Sequence, residues 1–92
     1  MSAEDYELVV AGPAARAIAE KLPEAVAIAV IECLTGPLVE QPARVGTPLR
    51  RELMGLHSAR RGTFRILYRI DEERRIVTVV RVEHRSDVYR RR

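Results

Sequence analysis

The stretch from residue 55 to residue 70, GLHSARRGTFRILYRI, sets guanidinium groups between apolar side chains behind a glycine-marked turn. Arg60, Arg61, Arg65 and Arg69 are planar, permanently charged forks that match the oxygens of a phosphate, and strand alternation would give Arg65 and Arg69 one side of a sheet. That side meets either an anion or water. A second group of reactive side chains closes the chain in Glu83-His84-Arg85-Ser86-Asp87-Val88-Tyr89-Arg90. His84 could carry a proton, and Tyr89 could stack on a base or exchange a proton through its phenol, helped by neighbouring arginines that favour the phenolate. Packing is an equally open role for His84, and Tyr89 could simply plug the sheet edge. His57 reads as structural. Neither histidine has a carboxylate or second histidine at metal-ligand spacing, so no metal site is expected. No Ser-His-Asp order, glycine-rich phosphate loop or paired carboxylates are present, and phosphoester chemistry here would have to be metal-independent, with no cofactor.

Charge is divided unevenly along the chain. Residues 1–41 carry two basic side chains against seven acids, a net of −5, whereas residues 42–92 carry 14 arginines against six acids, a net of +8. Lys21 is the only lysine. Arginine suits bidentate phosphate contact and base stacking, which points to nucleic acid, although a drift toward GC-rich codons gives the same excess. The 92 residues, 47% hydrophobic and 32% charged, make one domain spanning 1–92 with one modest core. No uncharged apolar run reaches the roughly 18 residues of a membrane span, and the acidic start Met1-Ser2-Ala3-Glu4-Asp5 is unlike a secretory signal. A cytoplasmic protein without membrane contact is expected. Cys33, the single cysteine, allows no internal disulfide and reads as a buried, inert thiol.

The elements that must position these groups follow from local patterns. Tyr6-Glu7-Leu8-Val9-Val10 is a strand stopped by Gly12-Pro13, and Ala14 to Leu22 places Ala14, Ala17, Ile18 and Leu22 on one helical stripe. Pro23 opens a second helix, Glu24 to Leu34, so apolar that it should be covered on more than one side. Two helices joined by almost no loop read as an antiparallel hairpin. Gly36-Pro37 ends the second, with a brief continuation at Leu38-Val39-Glu40, and Pro42 to Glu52 reads as an irregular connector. Three strands follow near Leu53 to Arg60, Thr63 to Ile70 and Ile76 to Arg85, with Asp71 to Arg75 as the tight connection.

Pairing Ile70 with Ile76 sets the expected faces. Phe64, Ile66, Tyr68, Ile76, Thr78, Val80 and Val82 then pack under the helices, and Arg65, Arg69, Arg81 and Arg85 share the opposite face with Leu67, Val77 and Val79. Arg65 would face Arg81. Two arginines directly opposite repel unless an anion joins them, and the competing reading is a wet face neutralised by Glu72, Glu73 and Glu83.

Strand, helix hairpin, Pro/Gly-containing connector, the segment Arg-Arg-Gly-Thr-Phe-Arg-Ile-Leu-Tyr and the tail His-Arg-Ser-Asp-Val-Tyr together resemble the RelE toxins of bacterial type II toxin-antitoxin systems, in their mycobacterial branch. The resemblance covers nearly the whole chain. It implies an α+β fold of β-α-α-β-β-β order, in which the helix hairpin packs on a mostly antiparallel four-stranded twisted sheet. It also implies a ribosome-dependent endoribonuclease that cuts messenger RNA in the ribosomal A site, the ribose 2′-hydroxyl attacking the adjacent phosphate to leave a 2′,3′-cyclic phosphate. Carried over residue by residue, Arg65 falls on the strand arginine set against the phosphate, Arg85 on the tail arginine and Tyr89 on the terminal tyrosine. Arg60 fits an arginine of the preceding hairpin, with Arg61 the alternative, and Arg50, Arg51, Arg61 and Arg81 are candidate RNA contacts.

The chain departs from that pattern where the best-known RelE proteins put lysines, offering Leu56 and Ser58 instead. Related YoeB toxins use a C-terminal histidine, so His84 is the expected substitute in proton transfer. The implied partners are a cognate antitoxin that wraps the helix hairpin and sheet edge, the ribosome and its message, and operator DNA only through the antitoxin complex. Two other readings stay open: a ParE-like, non-enzymatic inhibitor of DNA gyrase, and an inactive toxin that acts as co-repressor with its antitoxin.

Overall fold

A computed structural model describes residues 5–84, so Arg85 and Tyr89 of the expected site lie outside the described residues. Strand β1 (Glu7–Val10) leads into helices α1 (Gly12–Glu20) and α2 (Glu24–Thr35), then two single-turn helices, α3 (Pro37–Glu40) and α4 (Pro42–Val45). The short β2 (Thr47–Pro48) and a 3₁₀ turn at Arg51–Leu53 precede β3 (His57–Arg61), β4 (Phe64–Asp71) and β5 (Ile76–His84). The sheet order is β1-β5-β4-β3-β2, with β1 parallel to β5 and every other pair antiparallel.

The α+β class and the helix pair on a mostly antiparallel sheet match the expectation, with differences at the connector. Pro42 to Glu52 is not irregular throughout: Pro42 starts α4, where its missing N–H costs nothing, and Thr47–Pro48 adds a fifth strand to the expected four. Strand β3 begins at His57 rather than Leu53, because Arg51–Leu53 coils into the 3₁₀ turn and the Leu49 amide donates back to the Leu56 carbonyl at 2.8 Å.

The largest departure is in β5. Ile70 pairs with Val77, and the register shifts between Leu67 and Tyr68, whose partners are Arg81 and Val79. Val80 is therefore the extra residue of a β-bulge, which reverses strand parity along its length. Val77, Val79 and Val82 all reach the helix side and are buried, so the placement of Val77 and Val79 on the arginine face is corrected, as is that of Ile76 and Thr78 in the core. Arg65 faces Glu83 rather than Arg81. Burial of three valines from one central strand is the driving gain, at about 25 cal/mol per Å² of apolar surface.

The core joins Ala14 and Ala17 of α1, Val30, Cys33 and Leu34 of α2, and Leu38 to Ala59, Ile66, Tyr68 and the three β5 valines. Alanines at Ala14 and Ala17 let α1 lie close against β5, to which Ala11 is also tied by its amide on the Val79 carbonyl. Helix α2 is not covered on several sides: Ile28 is 51% and Ile31 47% exposed on its outer surface. Among the described residues, no helix is long and apolar enough to cross a membrane.

Candidate functional site

The β3–β4 hairpin turns through Gly62-Thr63, with Gly62 at φ 62°, the left-handed conformation that a two-residue hairpin loop requires at its first position. The loop fixes the register behind it. Arg61 opposes Phe64, and one step on, Arg60 opposes Arg65 on the face away from the helices. The bulge in β5 supplies the third member of that row by bringing Glu83 opposite Arg65 from the other side.

Arg65 donates from Nε to Oε2 of Glu83 at 3.3 Å, and a terminal nitrogen of Arg81 lies 3.8 Å from the other carboxylate oxygen. The side chains of Arg65, Glu83 and Arg81 are 18%, 10% and 40% exposed. Arg60 is exposed. Arg60, Arg65 and Arg81 thus gather on one sheet face around the Glu83 carboxylate, with Arg69 further along the same face opposite Thr78, and Leu67, buried between Ser58 and Arg81, provides an apolar floor. An arrangement of this kind holds an anion by charge and by fork-shaped hydrogen bonding, and it can stabilise charge that grows on phosphoryl oxygens.

The other expected site residues separate from this cluster. Arg61 lies on the helix side, its guanidinium hydrogen-bonded to the Arg60 carbonyl and close to Cys33, in a shallow pocket with Ala29, Glu32 and Pro37. Arg50 and Arg51 sit on the exposed turn before β3, with Arg51 at a positive φ of 60°. His84 pairs with Phe64, so its strand parity is that of the core; its ring meets Phe64 edge to face at 5.0 Å between centroids. It lines a cleft of about 430 Å³ with Lys21, Leu22, Arg81 and Glu83, which places the one lysine near the sheet end. His57 stacks on Tyr68 with centroids 5.5 Å apart and keeps a buried Nδ1 without a hydrogen-bond partner. Among the described residues, no three His, Cys, Asp or Glu side chains gather as metal ligands.

Not all the positive charge belongs to the site. Arg75, at φ 57° in the β4–β5 turn, lies 4.1 Å over the Tyr6 ring, whose hydroxyl donates to Glu72 and is held above its ordinary pKa chiefly by that hydrogen bond. Glu83 was the residue that sequence reasoning gave only a neutralising role. Alternation alone puts Glu83 on the face of Arg81 and Arg85, whereas its pairing with Arg65 depends on the register that the bulge sets. The Arg60–Arg65 pairing, by contrast, was available from the two-residue Gly62-Thr63 loop.

A helix pair on a mostly antiparallel sheet, with an arginine cluster on the face away from the helices, defines a small, single-sheet α+β class. The model of the ParE toxin of type II toxin-antitoxin systems matches residues 8–89. Toxin RelG of Mycobacterium tuberculosis is 56% identical over 77 residues, 84% of this chain and 88% of that protein. Toxin RelE of the same organism is 44% identical over 85 residues, 92% and 87% of the two chains. The crystal structure of the M. tuberculosis toxin–antitoxin complex RelBE2 contains a chain 49% identical to this one, with a TM-score of 0.81 over 88% of this chain and 99% of that one. The isolated Escherichia coli RelE toxin, 22% identical over 92% of each chain with a TM-score of 0.70, shares the fold. The chain belongs to the RelE/ParE family of type II toxins.

Proposed function

We propose that residues 1–92 act as one toxin domain, a metal-independent endoribonuclease that cuts messenger RNA in the ribosomal A site. The observation that carries this reading is the convergence of Arg60, Arg65 and Arg81 on one uncovered sheet face with Glu83 between the last two. The attacking 2′-hydroxyl and the scissile phosphate both belong to the RNA. The protein has to hold them in line, and fixed guanidiniums stabilise the charge that builds on the phosphoryl oxygens as the cyclic phosphate forms. Proton transfer falls to the chain's C-terminal groups, with His84 and Tyr89 the candidates, and Arg85 adds a further guanidinium for the phosphate. The toxin acts in the cytoplasm and is neutralised by a cognate antitoxin, with operator DNA bound only through that complex. The RelBE2 relative forms such a complex, and the exposed Ile28 and Ile31 on α2 offer an apolar surface for a partner's helix.

Mapping transcript ends after brief induction tests the activity. New ends inside translated reading frames are expected, and intact messages in growth-arrested cells would overturn it. The ParE model match favours a second reading, inhibition of DNA gyrase by binding. That reading predicts DNA-damage signalling with messages left whole, so one experiment separates the two.

A further inference from the structure

Glu83 stands on the same face as the arginines, where its negative charge opposes the binding of a phosphate. A carboxylate in that place weakens anion binding unless it does something for the cations beside it. Its contact with Arg65 is specific in geometry. Oxygen Oε2 takes the Nε hydrogen at 3.3 Å, and among the described residues the two terminal nitrogens of Arg65 make no hydrogen bond. A guanidinium held at its Nε edge keeps its terminal fork available, and that fork is the part that grips two phosphoryl oxygens. The pair is also largely shielded, at 18% and 10% side-chain exposure, so solvent competes poorly for the carboxylate.

Arg60 supplies the second reason. Standing directly across from Arg65, it would push that side chain aside by like-charge repulsion, and Glu83 pulls from the opposite strand. Arg81, reaching the other carboxylate oxygen at 3.8 Å, orients the carboxylate in turn. We propose that Glu83 is the positioning residue of this face: it fixes the Arg65 guanidinium by its Nε edge, so that the terminal fork and Arg60 together receive one backbone phosphodiester. The proposal rests on the reading of the face as the RNA site.

Rate and binding respond in opposite directions if this is right. In a programmed-ribosome cleavage assay with full-length toxin, Glu83→Leu is expected to lower the saturating cleavage rate about 100-fold, the scale of a catalytic group misplaced by an ångström. Its half-saturating toxin concentration stays level or falls, because a negative charge has left the site. Glu83→Gln keeps the shape and an acceptor oxygen, and should lose only about tenfold, a smaller misplacement on the same scale; it carries the test if the leucine variant does not fold. In an Arg65→Ala background, Glu83→Leu should add no further loss. Wild-type rates in both Glu83 variants, or full additivity with Arg65→Ala, would overturn the assignment. So would a Gln variant as slow as the Leu variant, since the carboxylate would then be moving a proton itself.

A readout without cleavage separates this proposal from the nuclease reading. The side-chain Nε–Hε NMR resonance of Arg65 should be resolved in the wild-type toxin, shift on adding inorganic phosphate, and merge with the solvent-averaged arginines in Glu83→Leu. If the wild type cuts no message yet shows this behaviour, the nuclease reading fails and the anion clasp stands. An averaged Arg65 resonance in the wild type ends the proposal whatever the cleavage result.

Discussion

The Tyr68 hydroxyl, at the buried centre of β4, donates to the Pro42 carbonyl across 2.6 Å and so ties the arginine-bearing strand to the connector 26 residues earlier. Burial pushes the phenol up to about 12, with the backbone of Gly46 pulling slightly the other way. A raised folded-state pKa stabilises the protein below the unfolded value near 10, and that contribution is lost as pH climbs from about 10 through 12. The full loss is roughly 3 kcal/mol for a shift of this size. Tyr68→Phe leaves the buried carbonyl of Pro42 unpaired and should cost about 1–3 kcal/mol at pH 8. The variant lacks the alkaline slope, so urea-denaturation curves of the two proteins should converge as pH rises from 9 to 11.5. A constant gap across that range would show that Tyr68 does not titrate in the folded state.

Gly46 has an extended backbone, φ −129°, that any residue adopts, so its lack of a side chain must answer to space. An added Cβ would overlap the Ser58 carbonyl oxygen and lie 2.7 Å from its carbonyl carbon and 2.9 Å from the Tyr68 hydroxyl. Two of those atoms are β3 backbone and cannot rotate away. Gly46→Ala should therefore destabilise by about 1–3 kcal/mol through overpacking, more than the roughly 0.4–1 kcal/mol it gains by stiffening the unfolded chain. A calorimetric midpoint equal to or above wild type would contradict this.

Arg60 and Arg65 should separate stability from activity. Arg60 is exposed and opposes a like charge, so Arg60→Ala is expected to be neutral or to stabilise by a few tenths of a kcal/mol, roughly the scale of a cross-strand pair. Arg65→Ala strips the shielded Glu83 of its nearer cation and should cost about 1–2 kcal/mol. Both substitutions should relieve growth arrest on induction if both guanidiniums grip the message. Urea midpoints measured beside growth curves give the comparison, and unimpaired toxicity in both variants would count against the arginine face as the site.

How far the sequence could be read depended on whether its local signals had one solution. Gly12-Pro13 and Gly36-Pro37 punctuate the chain in a way that few conformations satisfy, and the helices lie close to where those pairs place them. In β5 the run Ile76-Val77-Thr78-Val79-Val80 offers β-branched residues on both faces. Alternation then has no preferred parity, and the choice passes to tertiary packing, which inserts a bulge at Val80 so that Val77, Val79 and Val82 are all buried. Arg65 kept its predicted face because β4 has no such ambiguity, whereas its partner changed from Arg81 to Glu83. His84 was displaced toward Phe64 by the same two-residue offset, one residue of it from the Ile70–Val77 pairing and one from the bulge. The connector is ambiguous for a different reason: Pro42 can stop one element and start the next, and the residue type does not say which.

Cys33 offers a check on the packing between α2 and β3. It is 2% exposed, and burial pushes its thiol up, with the Arg61 guanidinium pulling partly back. A disulfide reagent needs both access and the thiolate, and both are scarce here. Modification in native buffer at pH 8 should be at least about 100-fold slower than in urea, because it waits on an opening of the α2–β3 contact. The rate should also keep rising with pH beyond the range where a free thiol levels off. If Arg61 lies against α2 as its nearness to Cys33 indicates, Arg61→Ala removes the cation that favours the thiolate and widens the path to the sulfur at once. Comparing the variant's urea and native rates separates those effects: a gap that narrows reports easier opening, and a gap that widens through a slower native rate reports loss of the charge. Rapid stoichiometric labelling of the folded wild-type protein would mean that the helix does not cover Cys33 and that the core argued from Val30, Cys33, Leu34 and Ala59 is wrongly assembled.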